Sequence, residues 1–250
     1  MASLSRVIVV FALFVFVSAG ASAQLGRDFL NDPGKSVKKL TRKGGSGLSE
    51  SEVGDGLKEA LRVGAKNATS KVSAPDGFFG NALIKVLMPP EAQKVEKTLR
   101  DVGLGDQVDN TILSMNRAAE DACTKAVEIF IDAIMKMSIQ DAMAILKGGN
   151  NAATNYLKDK TTTALTNTFR PVIQESLDKV NATKYWATMF NTYNKLPTTF
   201  KKVNPDLPAY VTERALNGVF VYIAEEEAKI RTNPAARVSD LLKKVFGNQN

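Results

Sequence analysis

The chain has 250 residues, a formal net charge of +7, one cysteine and no histidine. The missing imidazole excludes a Ser-His-Asp triad, a Cys-His pair and every His-based zinc site, leaving carboxylates, Lys, Tyr, Ser and Thr for any chemistry. With Cys123 alone there is no intramolecular disulfide, so apolar burial has to hold the fold unaided.

Residues 1–23 read as a cleaved secretory signal. Arg6 supplies positive charge, Val7 to Val17 is uncharged and apolar, and Ala21-Ser22-Ala23 gives a small-x-small site before Gln24. The apolar run falls short of the ~20 residues that a membrane span needs. No later stretch is longer, and no cysteine follows the site to be lipidated. The expected destination is outside the cytoplasm: periplasmic in a Gram-negative bacterium, extracellular in a eukaryote.

Residues 24–47 form an expected flexible basic linker that ends in Gly44-Gly45-Ser46-Gly47. Its cations Arg27, Lys35, Lys38, Lys39, Arg42 and Lys43 outnumber Asp28 and Asp32. Such a run is a solvated tail or makes a weak contact with an anionic envelope polymer. It lacks the interleaved aromatics of a nucleic-acid strip, so no nucleic acid is expected.

Order begins at Ser49, where Ser49 and Glu52 form a capping-box pattern. The spacing of Val53, Leu57, Leu61 and Ala65 predicts a helix to about Val72, before a turn at Pro75-Asp76-Gly77. Ala82 to Met88 is the one credible strand, and it has no obvious partner. Pro89-Pro90 resets the chain, and Glu91 to Val102 reads as a short helix closed by Gly103. Asp106 to Met137 is predicted to be one long helix, its apolar face running from Val108 through Met115, Ala122 and Phe130 to Met137. Cys123 lies beside that stripe and reads as a small core residue.

Ser138 and Asp141 cap the next short helix, which Gly148-Gly149 ends. A helical stretch follows from about Asn151 to Val180, with Pro171 breaking or kinking it. Ala182 to Leu196 holds the densest aromatic patch: Tyr185, Trp186, Met189, Phe190 and Tyr193. A loop from Asn204 to Pro208 leads into a helix of roughly Ala209 to Arg231. Asn233-Pro234 opens a last helix that ends at Phe246 before Gly247. The fold class is therefore all-α: a single helical-bundle-like domain of about eight helices over residues 48–247, with a tail at 248–250.

The strings SMNRAAEDA (114–122), IFIDAI (129–134), DAMAILKGG (141–149), AATNYL (152–157) and IAEEEAKIRTNPAARVSDLLKKVF (223–246) resemble domain-of-unknown-function family 4197. GLKEAL (56–61) and EKTLRDVGLG (96–105) extend the likeness to nearly all of the chain after Leu48. The resemblance implies export and an all-helical domain; it brings no established activity, cofactor or catalytic residue. The basic stretch before Ser49 departs from the bacterial members that dominate the family. In a eukaryotic source, the sequons Asn67-Ala68-Thr69 and Asn181-Ala182-Thr183 would be open to glycosylation.

Four polar side chains fall on apolar helical faces and are the candidate binding residues: Asn116, Glu120, Glu227 and Arg231. Glu120 is flanked by Leu113, Asn116, Val127 and Ile131, whereas Arg117, Asp121, Glu128 and Asp132 share a polar back. Glu227 lies among Ile223 and Ile230, with Arg231 one turn later, and a buried carboxylate has to be paired, protonated or wet. No catalytic residue, metal ligand or cofactor is indicated. Three functions stay open. The first is a non-enzymatic exported binding protein for a hydrophobic or lipid-like ligand, suggested by broad apolar faces, Met content and the aromatic patch. The second is a carboxylate-based glycan hydrolase using Glu120 and Glu227. The third is a structural or assembly partner in the envelope or outside the cell.

Overall fold

Helix α1 (Glu50–Val72) starts where the capping pattern places it. Ser49 Oγ accepts the Glu52 N–H at 3.2 Å, and the Glu52 carboxylate takes the Ser49 N–H at 2.9 Å. The computed structural model describes residues 49–195, 202 and 204–233. The expected signal (1–23), the basic linker (24–47) and the helix from Pro234 to Phe246 lie outside the described residues.

After α1 come a 3-10 turn (Pro90–Ala92), α2 (Gln93–Asp101), α3 (Gly105–Cys123), α4 (Ala126–Met135), α5 (Ile139–Lys147), α6 (Ala152–Lys179), α7 (Ala182–Tyr193) and α8 (Leu207–Thr232). A second capping box, Ser138 with Asp141, begins α5. Asp206 accepts the Ala209 N–H to begin α8, where Pro208 fits a first turn that needs no N–H from it. No strand occurs among the described residues, and none of their helices is long and apolar enough to cross a membrane.

Helix α8 touches α1, α3 and α6, while α6 touches α3, α4 and α8. Met115, Phe130, Phe169, Ile173, Leu177 and Val219 are fully buried among these helices. Burying a side chain of this size stabilises by ~1.5–3 kcal/mol. Phe130 meets Phe220 edge to face, ring centroids 5.9 Å apart. Close approach is purchased with a missing side chain: a Cβ on Gly218 would lie 2.6 Å from Phe78 Cζ.

Two sequence expectations are corrected. The predicted 106–137 helix is two helices, interrupted at Thr124-Lys125. There the backbone turns to tighter bonds, Thr124 N to Asp121 O and Lys125 N to Ala122 O, while the Thr124 hydroxyl also donates to the Asp121 carbonyl. The apolar stripe runs on across the break, so periodicity alone shows no interruption. The 82–88 segment forms no strand, although Ile84, Val86 and Met88 are buried while Leu83 and Leu87 are exposed. Its partner is a side chain: Asn116 Oδ1 accepts the Val86 N–H, and Asn116 Nδ2 donates to the Val86 carbonyl, both at 2.8 Å. Of the two outcomes expected at Pro171, a break or a kink, the break does not occur: α6 runs through it as one helix.

Candidate functional site

The polar residues singled out by the sequence turn out to hold backbone. Asn116 is fully buried in α3; besides clamping Val86 it donates to the Ile112 carbonyl at 2.7 Å. Glu120, one turn later, reaches the turn after α1. Its Oε1 accepts the N–H groups of Phe78 at 3.0 Å and Phe79 at 3.2 Å, and its Oε2 takes Arg117 at 2.7 Å. Arg117, expected on a solvated face, also holds Asp76 at 2.7 Å and so ties that turn to α3 from outside. Next to Glu120, Cys123 is wholly buried, and burial, with the Glu120 charge second, pushes its thiol well above the ordinary range.

Glu227 performs the same task at another place. Helix α6 begins after Asn151, which has a left-handed backbone (φ 69°) and gives no side-chain cap. The first-turn donors are met instead from α8: Glu227 accepts Ala153 N–H at 3.1 Å, Thr154 N–H at 2.8 Å and the Thr154 hydroxyl at 2.8 Å. Arg231 completes the arrangement, bonding Glu227 through Nε at 2.9 Å and donating to the Ile145 carbonyl at 3.0 Å. The hollow beside Glu227, Leu57 and Ile230 measures about 10 Å³, room for at most about one water. Glu120 and Glu227 are thus buried in separate clamps, with no sugar-sized space at Glu227.

A different set of residues forms a real cleft. About 490 Å³ of space lies between the Pro89-Pro90 corner, Trp186 on α7 and the first turns of α8. Trp186 and Tyr210 stack with centroids 6.5 Å apart and planes 12° from parallel, and Phe190 backs Trp186 at 4.5 Å. Two polar anchors fix the rings: Trp186 Nε1 donates to the Asn204 carbonyl at 3.1 Å, and the Tyr210 hydroxyl donates to the Leu87 carbonyl at 2.7 Å. Burial pushes the Tyr210 phenol above its ordinary range, with Arg214 working against it. The Arg214 guanidinium lies 5.4 Å over the Tyr210 ring. Glu91, Glu213 and Lys202 complete the rim.

A shallower hollow of about 410 Å³ lies over Lys71, Asn81 and Tyr222, beside the 74–77 turn. It has one aromatic ring, which already carries the Lys71 ammonium at 4.7 Å. Among the described residues no group of His, Cys, Asp or Glu is placed to hold a metal ion.

Sequence reasoning marked the aromatic patch around Trp186 and the Pro89-Pro90 corner separately. It missed their meeting and missed Tyr210, because the cleft joins three segments far apart in the chain. The only local signal was the polar-tipped aromatics themselves, since a buried Trp or Tyr has to find a partner for its N–H or O–H.

Among the described residues, the fold and cleft define an all-helical protein with an aromatic-walled surface cleft and buried structural clamps. The sequence profile of the family described as "Protein of unknown function (DUF4197)" matches residues 47–247, and the chain belongs to that family. No curated protein and no solved structure matches it.

Proposed function

We propose that the chain is an exported, non-enzymatic binding protein that seats a hydrophobic or lipid-like group in the cleft between Pro89 and Tyr210. The observation that carries this reading is the Trp186–Tyr210 stack lining a space of about 490 Å³. That volume lies in the ~300–1,000 Å³ range of ligand pockets, and its lining sets proline, alanine and aromatic carbons beside the polar groups of Glu91, Lys202, Asn204, Glu213 and Arg214. The carboxylates considered for glycan hydrolysis gain no support, because both are taken up by donors of the chain itself.

Native mass spectrometry of the full chain purified from its own host tests the reading. The wild type should carry a non-covalent small-molecule adduct. Ala209→Trp, which fills the cleft from its wall without removing a contact there, should lose it. An adduct equal on both proteins, or absent from the wild type, would contradict the proposal.

A further inference from the structure

The rim of the cleft carries charges of both signs. Several arginines of the fold hold carboxylates: Arg100 with Glu96 and Asp109, Arg117 with Glu120 and Asp76, Arg170 with Asp206, and Arg231 with Glu227. Around the cleft stand two cations, Lys202 and Arg214, and two carboxylates, Glu91 and Glu213. None of these four has an ion-pair partner among the described residues, although charges of opposite sign share one opening. Arg214 is held in place over Tyr210, so its donors are oriented before any ligand arrives.

The walls narrow the chemistry further. Trp186 is only 2% exposed, so its ring face is not available for a sugar to stack upon. What the cleft offers is an apolar strip, Pro90, Ala209 and the Tyr210 ring with Trp186 packed behind it, beside charges of both signs. A ligand with one charge would use one pair of rim groups and face repulsion from the other. A ligand with both charges uses all four.

Resting on the binding role proposed above, we infer that the ligand is a zwitterionic amphiphile: an ammonium beside a phosphate or carboxylate, joined to an apolar chain. The anion sits between Arg214 and Lys202, the ammonium is taken by Glu91 and Glu213, and the chain lies along Pro90, Ala209 and Tyr210.

The chain contains a single tryptophan, so its emission reports on the cleft alone. Three probes with one alkyl length separate the charge types: octylamine, octyl phosphate and O-octylphosphorylethanolamine. Titrated into the full chain, the zwitterion should change Trp186 emission with an affinity about tenfold tighter than either singly charged probe, the worth of one further charge-assisted bond. Arg214→Gln should reduce the zwitterion to the level of octylamine, and Glu213→Gln to that of octyl phosphate. Both sites are exposed, and unchanged circular dichroism would show that the variants fold. A singly charged probe binding as tightly as the zwitterion overturns this inference while leaving the cleft a binding site. No response to any probe overturns it too, and the adduct experiment then decides separately whether the cleft binds anything.

Discussion

Glu227 accepts both the backbone N–H and the hydroxyl of Thr154, each at 2.8 Å, and in doing so caps a helix that lies 73 residues earlier in the chain. Capping is usually local, a side chain serving the turn that follows it. Here the residue at the cap position, Asn151, has turned left-handed, and the carboxylate comes from a neighbouring helix. Removing Glu227 therefore takes the carboxylate partner from Arg231 and leaves two helix-start donors unmet at once. Glu227→Leu should cost at least the ~3–5 kcal/mol typical of a broken buried pair. Arg231→Met should fall at or below the low end of that ~3–5 kcal/mol range, because Ala153 and Thr154 still satisfy the carboxylate. The double variant should recover only part of the loss, since no apolar residue can cap α6. Urea denaturation of all three decides this; equal costs for the two single variants would show that the cap contributes nothing.

Two glycines on packed helices should respond oppositely to the same substitution. A Cβ on Gly64 would meet Glu226 Cβ at 3.4 Å and Ile230 Cδ1 at 3.5 Å, ordinary contact distances. Gly64→Ala should be neutral or stabilise by up to ~1 kcal/mol through helix propensity. At Gly218 the ring of Phe78 is in the way, so Gly218→Ala should destabilise by ~1–3 kcal/mol despite the better propensity. Thermal melts of the pair would refute the packing described here if both shifted in one direction.

Asn116 stands in for a β-strand, and its loss should be felt at Val86. Asn116→Leu keeps the volume but leaves a buried N–H and carbonyl unpaired, at a cost of about 3 kcal/mol. Hydrogen exchange should speed up at the Val86 amide first. A variant with wild-type protection at Val86 would mean that another group satisfies this segment.

Much of the fold could be read from residues near one another in sequence. The capping boxes at Ser49 and Ser138 lie within one turn, and the Glu227–Arg231 pair follows from i,i+4 spacing on an apolar face. The family likeness was equally readable, because it rests on contiguous strings. What could not be read depends on contacts between distant segments. Periodicity showed that Glu227 and Asn116 sit on buried faces, and it could not show that their partners are backbone groups of α6 and of the 82–88 segment. The break at Thr124 was hidden because the apolar stripe keeps its phase across it. The cleft is assembled from Pro89, Trp186 and Tyr210, and no local pattern links the three.

Asp206 should give the protein an acid-sensitive joint at the edge of the cleft. Burial works to raise its pKa, but Arg170 at 2.6 Å and the Ala209 N–H outweigh it and hold the carboxyl below the ordinary aspartate range. A depressed folded-state pKa adds stability that is present above the unfolded value of ~3.9 and is lost as pH falls through the folded value. Asn still caps a helix and the Arg170 pair is partly exposed, so Asp206→Asn should cost less than ~1 kcal/mol at pH 7. The gap between variant and wild type should close on acidification below about pH 4, as the wild-type carboxyl protonates. A gap that stays constant down to pH 2 would contradict the shift.

The claim that the Trp186–Tyr210 cleft is the binding site is tested most directly by nuclear magnetic resonance. One tryptophan gives one indole N–H signal, and that N–H donates to the Asn204 carbonyl inside the cleft wall. Adding material extracted from host-purified protein back to a ligand-free sample should shift this signal together with the amides of residues 209–214. The amides around Glu227 and those over the Lys71–Tyr222 hollow should stay in place. Shifts centred on Glu227 and Arg231, or on Lys71 and Tyr222, with the indole signal unmoved, would contradict the account.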